Sequence, residues 1–214
     1  MAGHFEPTGD GGAAIALDEI EISILRSLAV QLLELIGPGE EPAEGEDPFA
    51  ALLADGPTEP PTDPALARLF PDAYGGGPGA QAESDEERRA AAEFRRFTEN
   101  ELRARKREDG LAVVRGLDAL APDPPPGPSG PGRYPQGAGS GAGAVLTLKP
   151  EESRQWLGAL NDLRLAIGAR LEVTDDDDGS GLYSLPDEDP RKPMVMAYLW
   201  LGGLQETLVE TLLP

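Results

Sequence analysis

The sequence predicts a mainly α-helical bundle with at most a small two-stranded sheet and long disordered linkers. Three observations carry that expectation. Apolar residues recur at helical spacing in four segments, near 19–36, 84–107, 150–171 and 193–212. Two short apolar runs, at 13–17 and 145–148, each directly precede one of those helices, and paired together they would make the sheet. Gly (27) and Pro (22) run at roughly twice their average usage and gather between the helices, where they oppose regular structure.

Residues 1–12 are polar and Gly-rich and are expected to form a flexible tail. Residues 13–120 read as the N-terminal part of a single helical domain. Asp18 is placed as an N-cap with Glu21 as its capping-box partner. Ile20, Ile24, Leu28, Leu32 and Leu35 follow in one row, and Ile22, Leu25, Ala29 and Ile36 widen it, so this helix is expected to be buried on most sides. Gly37-Pro38-Gly39 ends it. An acidic, Pro-rich insertion covers about 37–62, with a candidate short helix at 47–53. Asp63-Pro64 opens another helix that carries Leu66, Leu69 and Phe70 and stops at Pro71. A Gly-rich loop follows from Tyr74. Ser84 and Glu87 make a second capping box, opening a helix to about Arg107 whose apolar face is thin: Ala90, Ala91, Phe94, Phe97 and Leu102. Leu111, Val113, Val114, Leu117 and Leu120 are equally consistent with more helix or with a strand.

Residues 121–143 hold 7 Pro and 7 Gly and read as a linker. Residues 144–214 read as the C-terminal helical part of the same domain. Pro150, Glu151 and Glu152 make a favourable first turn, with negative charge at the positive end of the helix dipole. Trp156, Leu160, Leu163, Ile167 and Leu171 share a face. After an acidic break at 175–178, Pro193 leads into a helix with Ala197, Leu201, Leu204, Leu208 and Leu212 in one stripe.

Chemistry is constrained mainly by what the chain lacks. It contains no cysteine, which removes disulfides, thiolate nucleophiles and Cys-ligated zinc, and fits a reducing, cytoplasmic setting. The N-terminus has no signal-peptide pattern, and the uncharged stretch of the last helix is too short to span a membrane. The one histidine, His4, lies in the expected tail, so no triad is assembled around it. The run Asp175 to Asp178 lacks the ligand spacing of a calcium loop, and the Gly-rich runs lack phosphate-binding motifs. No catalytic residue, cofactor, metal or small-molecule substrate is therefore assigned. With 18 basic against 39 acidic residues, the net charge of -21 disfavours direct DNA contact and membranes and suits a basic protein partner.

Two groups of residues stand out. Arg95, Arg96, Arg103 and Lys106 lie in the helix that concentrates the positive charge and form a candidate basic docking face, although interleaved glutamates also fit a salt-bridged exposed helix. Asn161, Asp162 and Arg164, with Arg170 further on, interrupt an otherwise apolar helix. They fit either a buried polar network that fixes helix register or a partner-binding patch.

Three stretches carry a resemblance. Arg68-Leu69-Phe70-Pro71-Asp72-Ala73-Tyr74 is the first. Trp156-Leu157 with Leu160-Asn161-Asp162-Leu163-Arg164-Leu165, Gly168 and Arg170-Leu171 is the second. Tyr198-Leu199-Trp200-Leu201-Gly202 with Leu204-Gln205-Glu206 is the third. Together they resemble an actinobacterial family, formerly a domain of unknown function, named for the oxidative-stress transcriptional regulator AosR. The resemblance implies a cytoplasmic, non-enzymatic regulator that acts with an alternative, extracytoplasmic-function type sigma factor or RNA polymerase. It also implies a regulatory cysteine pair, which this chain lacks. An alternative of a different class is an adaptor or modulator of Clp-type ATP-dependent proteolysis, suggested by the acidic, linker-rich character.

Overall fold

The computed structural model describes residues 3–38, 56–74, 84–120, 143–173, 180–183 and 185–213. The candidate helix at 47–53, the linker at 121–143 except for its last residue, and the acidic run at 175–178 lie outside these. In chain order the elements are β1 (Glu6–Pro7), β2 (Ala13–Leu17), α1 (Glu19–Ile36), α2 (Pro64–Leu69), α3 (Asp85–Asp118), β3 (Ala144–Leu148), α4 (Pro150–Arg170), α5 (Ser180–Tyr183) and α6 (Lys192–Leu212). The fold is mainly helical with one small antiparallel sheet, as the periodicity predicts.

The two apolar runs do pair: β2 and β3 are antiparallel, with Ala13 opposite Leu148 and Leu17 opposite Ala144. Alternation along the strands sends Ala13, Ile15, Leu17, Leu146 and Leu148 into the core and leaves Val145 exposed. The sheet also gains a short third strand, in the order β1-β2-β3. The expected tail is therefore anchored. Thr8 N–H donates to Gly12 O and Gly11 N–H to Thr8 O, closing a turn in which Gly11 takes a positive φ of 82°. The physical cause is Phe5, a large apolar side chain in an otherwise polar segment. It is buried edge-on against Trp156, with ring centroids 6.3 Å apart, and its N–H donates to Thr207 Oγ1 of α6 at 3.2 Å.

α1 begins with the capping box read from Asp18 and Glu21. Its core row is Leu25, Ala29, Leu32 and Ile36, whereas Ile20 is 70% exposed and Ile24 42%. The expectation of burial on most sides is thus corrected. α1 packs against α3 and α4, and those neighbours cover one face only. α3 is one continuous helix through Asp118, which decides the open reading of 111–120 in favour of helix. Val113 and Leu117 continue its buried line, and Gly110 lets it approach α1 closely. A Cβ at Gly110 would lie 3.0 Å from Leu33 Cδ2.

α4 runs through the middle of the molecule, in contact with α1, α2, α3, α6 and β3. Its Trp156, Ala159, Leu160, Leu163, Ala166 and Ile167 are buried. From α6, Val195, Leu201, Leu204 and Leu208 close the core.

Candidate functional site

The first half of α3 turns two of its charges inward. Arg95 is 4% exposed and Glu99 3%. Arg95 donates to Glu99, to Asp72 Oδ1 at 2.7 Å and to the carbonyl of Phe70 at 3.1 Å. Burial opposes the Arg95 charge, but the hydrogen bonds to Asp72 and Glu99 outweigh it and hold its pKa above the ordinary value. Arg103 donates to Glu99 Oε1 at 2.7 Å and to the carbonyl of Ile36, and its guanidinium lies 4.4 Å from the centroid of the Phe70 ring. Arg107 donates to the carbonyl of Gly37. α1 has no basic residue in its last turn, so Arg103 and Arg107 bring positive charge to its negative end from another helix.

Lys106 completes this inward line, donating to Asp162 Oδ1 of α4 at 2.6 Å. Three of the four residues of the candidate basic docking face therefore have partners inside the fold. Arg95, Arg103 and Lys106 are consumed by Glu99, Asp72, Asp162 and the end of α1. Arg96 alone of the four is exposed, with its guanidinium 5.4 Å from the Phe97 centroid. From the sequence Glu99 counts only among the interleaved glutamates, and Asp72 only within a resembling stretch. The available signal was the i,i+4 spacing of Arg95, Glu99 and Arg103, which a surface helix and a buried ladder share.

The polar interruption in α4 splits in two. Asp162 is buried, and burial pushes its carboxyl pKa up against the lowering effect of Lys106. One helical turn along α3, Asp109 faces Gly158, where a Cβ would lie 2.6 Å from Asp109 Oδ2. Burial pushes the Asp109 pKa up to about 6; Arg105 and Lys106 pull it down, and the Asp162 charge adds to the rise. Asn161 and Arg164 turn the other way, toward α6. Arg164 donates to Gln205 Oε1 at 2.6 Å, and Gln205 Nε2 donates to Asn161 Oδ1 at 3.4 Å. The Arg164 guanidinium lies 5.2 Å from the Tyr198 centroid, and Gly202 leaves it room. Among the described residues no carboxylate is within ion-pair distance of Arg164. Arg170 is not part of this group; it is exposed in the last turn of α4, where a cation suits the dipole.

Asp162 belongs to a buried network, whereas Asn161 and Arg164, with Gln205, form a half-exposed polar group on the α4–α6 surface. No described helix is long and apolar enough to cross a membrane. The resembling stretches supply both sides of the Arg164 contacts with Tyr198 and Gln205, and one side of the contacts that Phe70 and Asp72 make with Arg95 of α3.

A family model described as "Domain of unknown function (DUF2017)" matches residues 2–212. The chain is 30% identical over 198 residues to a protein of Mycobacterium leprae named putative oxidative stress regulator AosR, covering 90% of this chain and 79% of that protein. It is 28% identical over 200 residues to the oxidative stress regulator AosR of Mycobacterium tuberculosis and to that of Mycobacterium bovis, covering 90% of this chain and 78% of each relative. No solved structure matches it. The match over nearly the whole chain establishes that this protein belongs to the DUF2017 family, together with the AosR oxidative stress regulators.

Proposed function

We propose that this chain is a non-enzymatic, transcription-associated regulator of the oxidative-stress response that acts by binding a sigma factor or RNA polymerase in the cytoplasm. The observation that carries the reading is the likeness, across 90% of the chain, to proteins named oxidative stress regulators. Two physical features support it. A net charge of -21 accelerates encounter with a basic protein and repels nucleic acid, so the partner is a protein rather than DNA alone. The Asn161–Arg164–Gln205 group offers preformed donors and acceptors at a surface held rigid by two packed helices. With no cysteine, a thiol–disulfide switch does not operate within this chain, so its redox signal arrives through the partner or another ligand.

The test is direct binding of the purified chain to a purified extracytoplasmic-function type sigma factor and to core RNA polymerase, at two salt concentrations. Binding to one of them that weakens as salt rises is expected. Absence of binding to both at low salt sinks the reading, and selective binding of a Clp-type unfoldase or its adaptor site replaces it with a role in proteolysis.

A further inference from the structure

In the first half of α3 Arg95 and Glu99 face the core, while its aromatic residues face solvent. Phe94 is 46% exposed and Phe97 65%. Tyr74, 48% exposed, stands edge-on to Phe94 with centroids 6.1 Å apart. Between them runs a groove of about 290 Å³ lined by Tyr74, Ala90, Glu93, Phe94, Phe97 and Thr98. Single exposed apolar residues are ordinary, but three aromatic rings gathered around one groove are the composition of a binding surface. Packing of α3 does not require them, because its inward line at this level is the Arg95–Glu99 pair.

The charges around the groove indicate its occupant. Glu86, Glu93 and Glu101 are exposed and recur about every two turns on the same outward line as Phe97. None of the three has an ion-pair partner among the described residues. Arg96 lies over Phe97, its guanidinium 5.4 Å from the ring centroid. A groove along α3 with one carboxylate, Glu93, in its lining and two more, Glu86 and Glu101, continuing that line along the helix at about two-turn spacing matches an amphipathic helix that carries cations at the same spacing. A second copy of this face would set glutamate against glutamate, which disfavours self-association.

We propose that the Tyr74–Phe94–Phe97 face of α3 docks an amphipathic helix of a protein partner, with an aliphatic ridge seated in the groove and lysine or arginine side chains meeting Glu86, Glu93 and Glu101. This rests on the reading of the chain as a partner-binding regulator and adds where the partner is held. It is a different surface from the Asn161–Arg164–Gln205 group.

The test uses the full chain and three synthetic helical peptides. One has a leucine ridge with lysine flanks, one the same ridge with glutamate flanks, and one lysine flanks with a serine ridge. The first should bind at least tenfold more tightly than the others and should weaken with salt. Phe94→Ala and Phe97→Ala should each weaken it about tenfold. Glu93→Lys combined with Glu101→Lys should shift preference to the glutamate-flanked peptide. All four positions are exposed, and unchanged thermal unfolding of each variant confirms that the fold is intact. Equal binding of the lysine and glutamate peptides, undiminished binding by Phe97→Ala, or self-association that Phe97→Ala abolishes would each overturn the proposal. Repeating the variants against the purified sigma factor separates the two readings. Sigma binding that ignores Phe94→Ala and Phe97→Ala removes this docking face and leaves the proposed function standing. Peptide binding here without sigma binding does the reverse.

Discussion

Arg95 and Glu99 are one helical turn apart and almost fully buried, so each depends on the other for its charge to be tolerated. Removing Arg95 leaves the buried Glu99 to Arg103 alone and strips Asp72 and the Phe70 carbonyl of their donor. Arg95→Ala is expected to cost about 3–5 kcal/mol in urea unfolding, and Arg95→Met combined with Glu99→Leu to recover part of that loss, because the buried pair is then replaced while Asp72 and Arg103 still lose a partner. Asp109 makes the opposite argument. Its pKa in the folded chain is about 6, raised by burial, against an ordinary value of 3.8. Between those values the folded state holds more protons than the unfolded state, so stability falls as pH rises through that window. Asp109→Asn should flatten the slope and stabilise the chain above pH 6 by roughly 1 kcal/mol, allowing for solvent screening at this partly exposed site. Part of the slope should remain, because burial raises Asp162 as well. Thermal unfolding across that range reads both effects. Little of this was legible beforehand. The sequence names Arg95, Lys106 and Asp162 as unusual, but pairing Lys106 with Asp162 requires knowing that α3 crosses α4.

At the scale of elements, the capped helices were the legible part. Asp18 with Glu21 and Ser84 with Glu87 form the capping boxes expected of them, and Asp63 caps α2 ahead of Pro64. Faces were legible only where the apolar residues match in number the positions to be buried. Val195, Leu201, Leu204 and Leu208 on α6 meet that condition. α1 carries more apolar residues than its neighbours cover, so Ile20 and Ile24 are left outside. α3 inverts the rule: periodicity weighs apolar residues and so points Phe94 and Phe97 inward, whereas buried ion pairs fill that side. The crossing of α1 and α3 depends on a residue no pattern highlights. Gly110→Val should wedge these helices apart at Leu33 and destabilise the chain by about 1–3 kcal/mol, measured by chemical denaturation.

For the molecule as a whole, the pairing of residues 13–17 with 145–148 was readable because both runs are short, apolar and placed before helices. The third strand was not readable, since two residues carry no periodicity. What fixes the N-terminal segment is one side chain, Phe5, between Trp156 and α6. Phe5→Ala should cost about 3–5 kcal/mol and accelerate amide exchange in β1.

The same sheet sets an order of events during synthesis. β2 leaves the ribosome early, and its partner β3 appears only after residues 18–143 have been made. At about 5–20 residues per second, translation keeps the inner faces of Ile15 and Leu17 without their mate for several seconds at least. Phe5 waits longer still, for Thr207 near the end of the chain. Because strand closure spans most of the polypeptide, its loop entropy must be met before the core rewards it. A nascent chain halted before residue 144 should therefore present an open strand edge to chaperones, while one released with β3, α4 and α6 complete should not.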